Sequence, residues 1–337
     1  RGARDRQVSS PTDENFSAVG SARRADAAPL ADILFLPESA PMSLWRTVRE
    51  AAARHPERVA VTVGGRDYTC AELDDRVERV AAGLRFQGLA PADRVVTVLG
   101  NTIEHLTLLL GCYRAGLVTV PMAPWSIPAH VRYAIRTSGA RGIVARTPLL
   151  ATVFDGHEEI RPDVTVTVGD PDPPRGVLPW EIVEAGPGDV PAPPDPKVDH
   201  LALIVYTSGT TSRPKAVVHT QDRMARRAAA FAEEVGLTAA DVSFVAHMIS
   251  RPLALLAQVI AVLNVGGRVV LHDGVAKNFW TGYAAGPPKT FVVTIPAVAA
   301  EVLADPAAAA ADHSHLRLWV AGGDSVPGPL QAKFQAA

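Results

Sequence analysis

The sequence predicts an α/β protein whose parallel sheets are covered by helices on both faces. Three observations carry that reading. Short β-branched runs alternate with segments whose apolar residues recur at three and four positions, the pattern of strand–helix–strand units. The connections between them are short and punctuated by Gly and Pro. Hydrophobic residues make up 47% of the 337, enough for two ordinary domains with substantial cores.

Residues 1–28 mix Arg, Asp, Ser, Ala and Gly without periodicity and read as a mobile tail. Ile33–Leu36 is the first apolar cluster. Ser43 reads as the N-cap of a helix that Pro56 closes. Val59–Val63 and Tyr68–Thr69 flank Gly64-Gly65 as a hairpin. A helix then starts at Thr69 or Cys70, carries Leu73, Val77, Val80, Ala81 and Leu84 on one face, and ends at Gly88. Strand Arg94–Leu99, helix Thr102–Ala115 and strand Leu117–Val120 follow. Pro121, Pro124 and Pro128 break the chain before a helix Ala129–Ser138 and a strand Gly142–Ala145. Residues 171–196, rich in Pro, Gly and Asp, read as a surface connection with a short element near Leu178–Val183. They close a first α/β subdomain, 29–196.

The second subdomain, 197–337, alternates again. Strand Leu201–Val205 precedes a polar loop. Helix Asp222–Val235, strand Asp241–Val245, apolar helix Leu253–Leu263 and strand Arg268–Leu271 follow. Strand Thr290–Thr294 runs into a helix whose first turn holds Pro296. Strand Leu316–Val320 is last, before a helix from Pro327. Asp74-Asp75 and Glu233-Glu234 read as exposed helix charges, and His313 and His315 as residues of a solvated loop.

The net charge of −2 makes no electrostatic case for nucleic acid or an anionic membrane. No run of about 18 apolar residues suggests a membrane span, and the N-terminus lacks the apolar core of a secretory signal. Cys70 and Cys112 lie far apart and form no metal-ligand cluster, so no metal site is expected and a reduced, cytoplasmic protein is the simplest reading.

The polar loop is the chemical centre. In Tyr206-Thr207-Ser208-Gly209-Thr210-Thr211-Ser212-Arg213-Pro214-Lys215-Ala216, five of the six residues from Thr207 to Ser212 are Ser or Thr. Lysine is scarce elsewhere in this arginine-rich chain. Backbone N–H groups, short hydroxyls and a cation suit a polyphosphate, although the spacing is not that of a Walker A loop. This loop resembles the phosphate-binding signature [YF]-T-S-G-[ST]-T-G-x-P-K-G of the AMP-forming, adenylate-forming enzymes: acyl-CoA synthetases, luciferases and peptide-synthetase adenylation domains. Ser212 and Ala216 stand where glycine is usual, and Ala216 would be awkward at a positive φ. Tyr68–Leu73 resembles the family's Y-T-x-x-E-L element, and the run from Ala115-Gly116 to Pro124 its A-G-x-x-x-V-P-x-x-P element. Both read as scaffold. Ala321–Pro327 resembles its G-G-[AE]-x-[LM] segment, with Asp324 giving an acidic form. Asp324 or Ser325 as a plain N-cap is the competing reading. Thr294–Val298 resembles the V-P-[TA]-x-[LVM] turn of acyl-CoA synthetases, which favours an organic acid over an amino acid.

The resemblance implies attack of a carboxylate on the α-phosphorus of ATP, with Mg²⁺ assisting, then transfer of the acyl group to a thiol, that of coenzyme A. Thr207, Ser208, Gly209, Thr210, Thr211 and the catalytic Lys215 would hold the phosphates. Gly322, Gly323 and Asp324 would border the adenine and acyl group. His247 and Met248 would line the carboxylate pocket, with a solvated or core His247 as the alternative. The partner is a small carboxylic acid. A carrier protein is the alternative acceptor, and a homodimer is compatible with the chain. An amino-acid adenylation domain and a non-catalytic remnant of the family are the rival readings. Because the family's Y-G-x-T-E element, ribose-binding aspartate and C-terminal lysine domain find no match, the chain is expected to be a truncated form with impaired activity.

Overall fold

A computed structural model describes residues 42–186, 188, 194–197, 199–207, 214–274, 278–330 and 332. The tail and the Ile33–Leu36 cluster lie outside the described residues. The first helix, α1 (Arg46–Arg54), starts later than Ser43 and has no side-chain cap. Ser43 is buried and its hydroxyl donates to Gln221 Oε1 at 3.3 Å, so a long-range contact replaces the expected cap. β1 (Val59–Val63) and β2 (Arg66–Thr69) form the expected hairpin. Thr69 then caps α2 (Cys70–Phe86) in a reciprocal box with Glu72, which is what the Y-T-x-x-E-L element supplies here.

The chain continues as β3 (Arg94–Val98), α3 (Ile103–Arg114), β4 (Val118–Met122), α4 (Pro128–Ser138) and β5 (Gly142–Ala145). Gly116, at φ +72°, ends α3 in the left-handed conformation that favours glycine. Pro121 does not break the chain; it lies inside β4 opposite Thr97. Its missing N–H is tolerated because β4 pairs with its other neighbour at one register position only, Thr119 with Leu203. α5 (Thr147–Phe154), β6 (Val164–Thr167), β7 (Leu178–Pro179) and α6 (Trp180–Ala185) follow. Then come β8 (Leu201–Thr207), β9 (Lys215–Thr220), α7 (Gln221–Glu234) and β10 (Val242–Val245). The apolar helix is π-helical over Ala254–Ile260 and α-helical in α8 (Ala261–Asn264). β11 (Arg268–Leu271), α9 (Phe279–Ala284), β12 (Phe291–Thr294), α10 (Pro296–Ala304), α11 (Ala307–Ala310) and β13 (Leu318–Ala321) complete the described order.

The strands form two mixed, mainly parallel sheets, in the orders β13-β12-β10-β11-β1-β2 and β7-β6-β5-β3-β4-β8-β9. The expectation of two consecutive units is corrected by this topology, since each sheet draws strands from both sides of residue 196. β1 runs parallel to β11, and β8 runs parallel to β4. The main core lies between the sheets, where α1, α2, α3, α7 and the π-helical stretch are packed together. α4 and α5 cover the outer face of the seven-stranded sheet, and α9, α10 and α11 that of the six-stranded one.

Two smaller expectations also change. Asp74 is half-buried beside Arg49, at 3.6 Å, and burial pushes its carboxyl up from the usual carboxylate range. His313 packs edge-on against Trp280 at 5.3 Å, and its Nε2 lies 3.0 Å from Ala308 O, so it is not solvated.

The helices between the sheets approach closely. A Cβ on Gly83 of α2 would overlap the carbonyl oxygen of Val183 in α6. Gly83→Ala should therefore lower stability by about 1–3 kcal/mol despite alanine's better helix propensity. Thermal melting checks this, and an unchanged or raised Tm contradicts it.

Candidate functional site

The polar loop joins β8 to β9 as an antiparallel hairpin, with Thr207 opposite Lys215 and Tyr206 opposite Ala216. Thr207 and Lys215 are exposed at its mouth, and Thr207 Oγ1 donates to Lys215 O at 3.4 Å. α4 braces that mouth. The Thr137 and Tyr206 hydroxyls are 2.6 Å apart, Tyr133 donates to Pro214 O at 3.3 Å, and the two tyrosine rings meet edge to face at 5.8 Å. Ser208, Gly209, Thr210 and Thr211 lie outside the described residues. Among the described residues, the non-glycine positions with positive φ are Ala92 and Asn278. Ala216 is ordinary strand, so its methyl costs nothing there.

The six-stranded sheet supplies the second part of the site. From β10 the chain goes to β11 on one side, then to β12 on the other. Ligands of open α/β sheets lie outside the strands' carboxyl ends at such a reversal. The β10–β12 ladder stops early, at Phe244 with Val292, while β12 and β13 stay paired to Thr294 and Ala321. Around this opening lie His247 and Met248 after β10, Ile295 after β12, and Gly322-Gly323 after β13. Gly322 N donates to Thr294 O at 3.0 Å. Gly323 has φ +82°, and a Cβ there would lie 3.2 Å from Leu253 and 3.7 Å from Ile295, so glycine is needed for both conformation and closeness. Met248 is buried. Asp324 is exposed, accepts the N–H of Ser325 at 2.8 Å and caps no described helix.

Three buried polar atoms of this segment have no hydrogen-bond partner among the described residues: His247 Nδ1, Ser250 Oγ and Gln258 Nε2. Buried polar atoms are normally paired, and seven further buried side-chain atoms among the described residues, Ser243 Oγ of β10 included, share this lack of a partner. Burial, reinforced by Arg251, lowers the His247 ring to about 4.

Asn101 ties the turn after β3 to the second part, and the motif reading missed it. It follows β3 and is 1% exposed. Its Nδ2 donates to His247 O at 3.0 Å and His272 O at 2.9 Å, and its Oδ1 accepts the N–H of Ile249 at 2.9 Å. One side chain from the seven-stranded sheet thus holds the loops after β10 and β11. The signal was present: a Gly-Asn-Thr turn between a strand and a helix lies where such sheets bind ligands.

His105 fixes that turn from below. It is fully buried, with Nδ1 2.9 Å from Gly100 O and Nε2 3.1 Å from Thr97 Oγ1. The carbonyl can only accept, so Nδ1 carries a proton, and burial favours the neutral ring. Burial lowers its pKa from 6.5 to about 4. Below pH 6.5 the unfolded chain binds a proton that the folded chain refuses, so stability is complete above that pH and is lost as pH falls toward 4. His105 alone should remove about 2 kcal/mol between pH 7 and 5. Denaturation midpoints across that range check it, and a slope unchanged in His105→Gln contradicts it.

The model of the AMP-binding enzyme family matches residues 48–337. The chain belongs to this family. A feruloyl-CoA synthase of Amycolatopsis is 29% identical over 287 residues, 84% of this chain and 55% of that protein. The salicyl-AMP ligase/salicyl-S-ArCP synthetase of Mycobacterium tuberculosis is 32% identical over 220 residues, 60% of this chain and 37% of that protein. The apo structure of Mycobacterium smegmatis MbtA superposes with a TM-score of 0.77 at 29% identity, covering 88% of this chain and 55% of that one. The anthranilate CoA ligase AuaEII, solved with anthranoyl-AMP, shares the fold at TM-score 0.81 and 21% identity, covering 90% and 59%. The chain thus spans about half the length of the relatives it matches.

Within this AMP-binding fold, no group of three or more His, Cys, Asp or Glu among the described residues could hold a metal ion. No described helix is long and apolar enough to cross a membrane. An open groove of about 460 Å³ lies between α1 and α2, lined by Arg49, Asp74, Asp75 and Glu78. It shares no residue with the site above.

Proposed function

We propose that the chain activates an organic carboxylic acid, of aryl or arylalkyl type, as its acyl-adenylate and passes the acyl group to the thiol of coenzyme A. The single observation that carries this is the family match over 48–337. The acid class is suggested by relatives named for feruloyl, indoleacetate and salicyl groups. In the first step a carboxylate oxygen bonds to the α-phosphorus of ATP and the bond to pyrophosphate breaks. In the second the thiolate takes the acyl carbon and AMP leaves.

The site's chemistry supports division of labour between its two parts. Lys215, Thr207 and the loop between them would neutralise the phosphates as charge moves onto pyrophosphate. Gly322-Gly323 would let the nucleotide and acyl group approach the backbone. His247 and Met248 would flank the acid, and a neutral His247 would offer a hydrogen bond without competing for its charge. Mg²⁺ would be held largely by ATP's own phosphates, as this ion commonly is, and would supply further charge neutralisation. Cys70 and Cys112 are buried and free, which fits the cytoplasmic location that belongs to this proposal.

A carrier-protein thiol is the second acceptor worth testing, because one relative is named a salicyl-S-ArCP synthetase. Acid-dependent exchange of labelled pyrophosphate into ATP, across aryl acids and amino acids, tests the first step. Exchange with aryl acids is expected. Exchange only with amino acids transfers the reading to peptide-synthetase chemistry. ATP binding without exchange for any acid leaves a non-catalytic relative.

A further inference from the structure

Gln258 is 0% exposed and sits in the π-helical stretch Ala254–Ile260. Its Oε1 accepts the N–H of Val293 at 3.0 Å, the residue just past the last β10–β12 pair. That partner can only donate, so the amide's orientation is settled: oxygen on the backbone, nitrogen free. Nε2 has no partner among the described residues. The amide therefore stands at the sheet's reversal point with one half engaged and the other available.

The helix geometry relates Gln258 to the glycine segment. Leu253 immediately precedes the π-helical stretch and stands about one helical turn ahead of Gln258. Five residues before Gln258 is Leu253, whose side chain lies against Gly323. The same helix thus meets Gly323 through Leu253 and, about one turn later, β12 through Gln258. π-Helical turns are rare, and many occur at functional sites. A buried amide donor left unpaired costs roughly 1–3 kcal/mol, which a ligand acceptor would return.

We propose that Gln258 is a specificity-determining residue of the acid site, its Nε2 donating to a neutral acceptor oxygen carried by the acid away from the reacting carboxylate. The inference rests on the acid-activating function proposed above. The amide bears no charge, so it would leave a second, buried carboxylate unneutralised. An ether, hydroxyl or carbonyl oxygen fits. The depth of Gln258 fits as well, because the reacting carboxylate must stay near the rim, within reach of the nucleotide.

The test uses paired cinnamic and benzoic acids bearing methoxy or ethyl at the ortho, meta or para position. The two groups are similar in size, and only methoxy offers an acceptor. By titration calorimetry of the full chain, at least one methoxy acid should bind about 10-fold tighter than its ethyl partner. Gln258→Met should reduce that preference to within about twofold. Gln258→Glu keeps an acceptor for Val293 N and replaces the donor with an oxygen, so it should reverse the preference. Circular dichroism confirms that the variants fold. Equal binding of every pair by the wild type, or a preference that survives in Gln258→Glu, overturns the inference and leaves the function standing. ATP binding with no binding of any acid overturns the function and the inference together.

Discussion

Lys215→Ala is expected to slow acid-dependent pyrophosphate exchange by roughly 10²- to 10³-fold, the usual cost of removing one preorganised donor from developing charge. Lys215 opens β9 directly across from Thr207, at the mouth of the hairpin. The side chain is exposed at the start of β9. Its removal should therefore change stability by less than about 0.5 kcal/mol. That separation makes the variant informative: the melting curve stays and the exchange rate falls. Lys215→Arg should recover part of the rate, since charge is kept while the compact point charge becomes a planar fork. Unchanged exchange in Lys215→Ala contradicts the role, and a collapsed melting curve contradicts the hairpin geometry.

Much of this frame was legible in the sequence because local chemistry decides it. Val59–Val63, Arg94–Val98 and Arg268–Leu271 are short β-branched runs ended by turn residues, and each is a strand within a residue of its expected bounds. Thr69 with Glu72, and Thr102 with His105 N, are caps readable from spacing alone. α5, β6 and α9 were missed for local reasons as well. Thr147-Pro148 reads as a turn, β6 is hemmed by the turn residues Pro162-Asp163 and Gly169-Asp170, and α9 contains Gly282. Sheet membership was not legible, because pairing β1 with β11 depends on which helical faces fill the space between the sheets, and no window of the chain contains that information. The site divides in the same way. A motif reveals the phosphate loop because it is contiguous. Asn101 and Gln258 act through backbone partners distant in sequence, so their importance emerges only when β3, β10 and β12 are brought side by side.

Asn101→Ala should destabilise the chain by about 3 kcal/mol, because one truncation strands the carbonyls of His247 and His272 and the N–H of Ile249 in a buried place. For a chain of 337 residues that is a fall in Tm on the order of 4 °C. The more telling variant is Asn101→Asp. Its shape is conserved and Ile249 N keeps an acceptor, but a carboxylate now faces two carbonyl oxygens. Ionisation is disfavoured there, so the folded-state pKa should rise above the usual aspartate range. A raised carboxyl pKa means that the folded form binds more protons than the unfolded form. The deficit relative to wild type should then shrink as pH falls, since the introduced carboxyl, once protonated, can donate one of the two lost bonds. Taking the difference between variant and wild type at each pH removes the opposing loss from His105 and His247. If Asn101 only filled space, Asp, which keeps its shape, would track the wild type rather than Ala at every pH. If it clamps the loops after β10 and β11, the two variants converge at neutral pH and separate in acid. The Met248 and His247 loop that would receive the substrate should loosen with them, seen as weaker acid binding at unchanged ATP affinity.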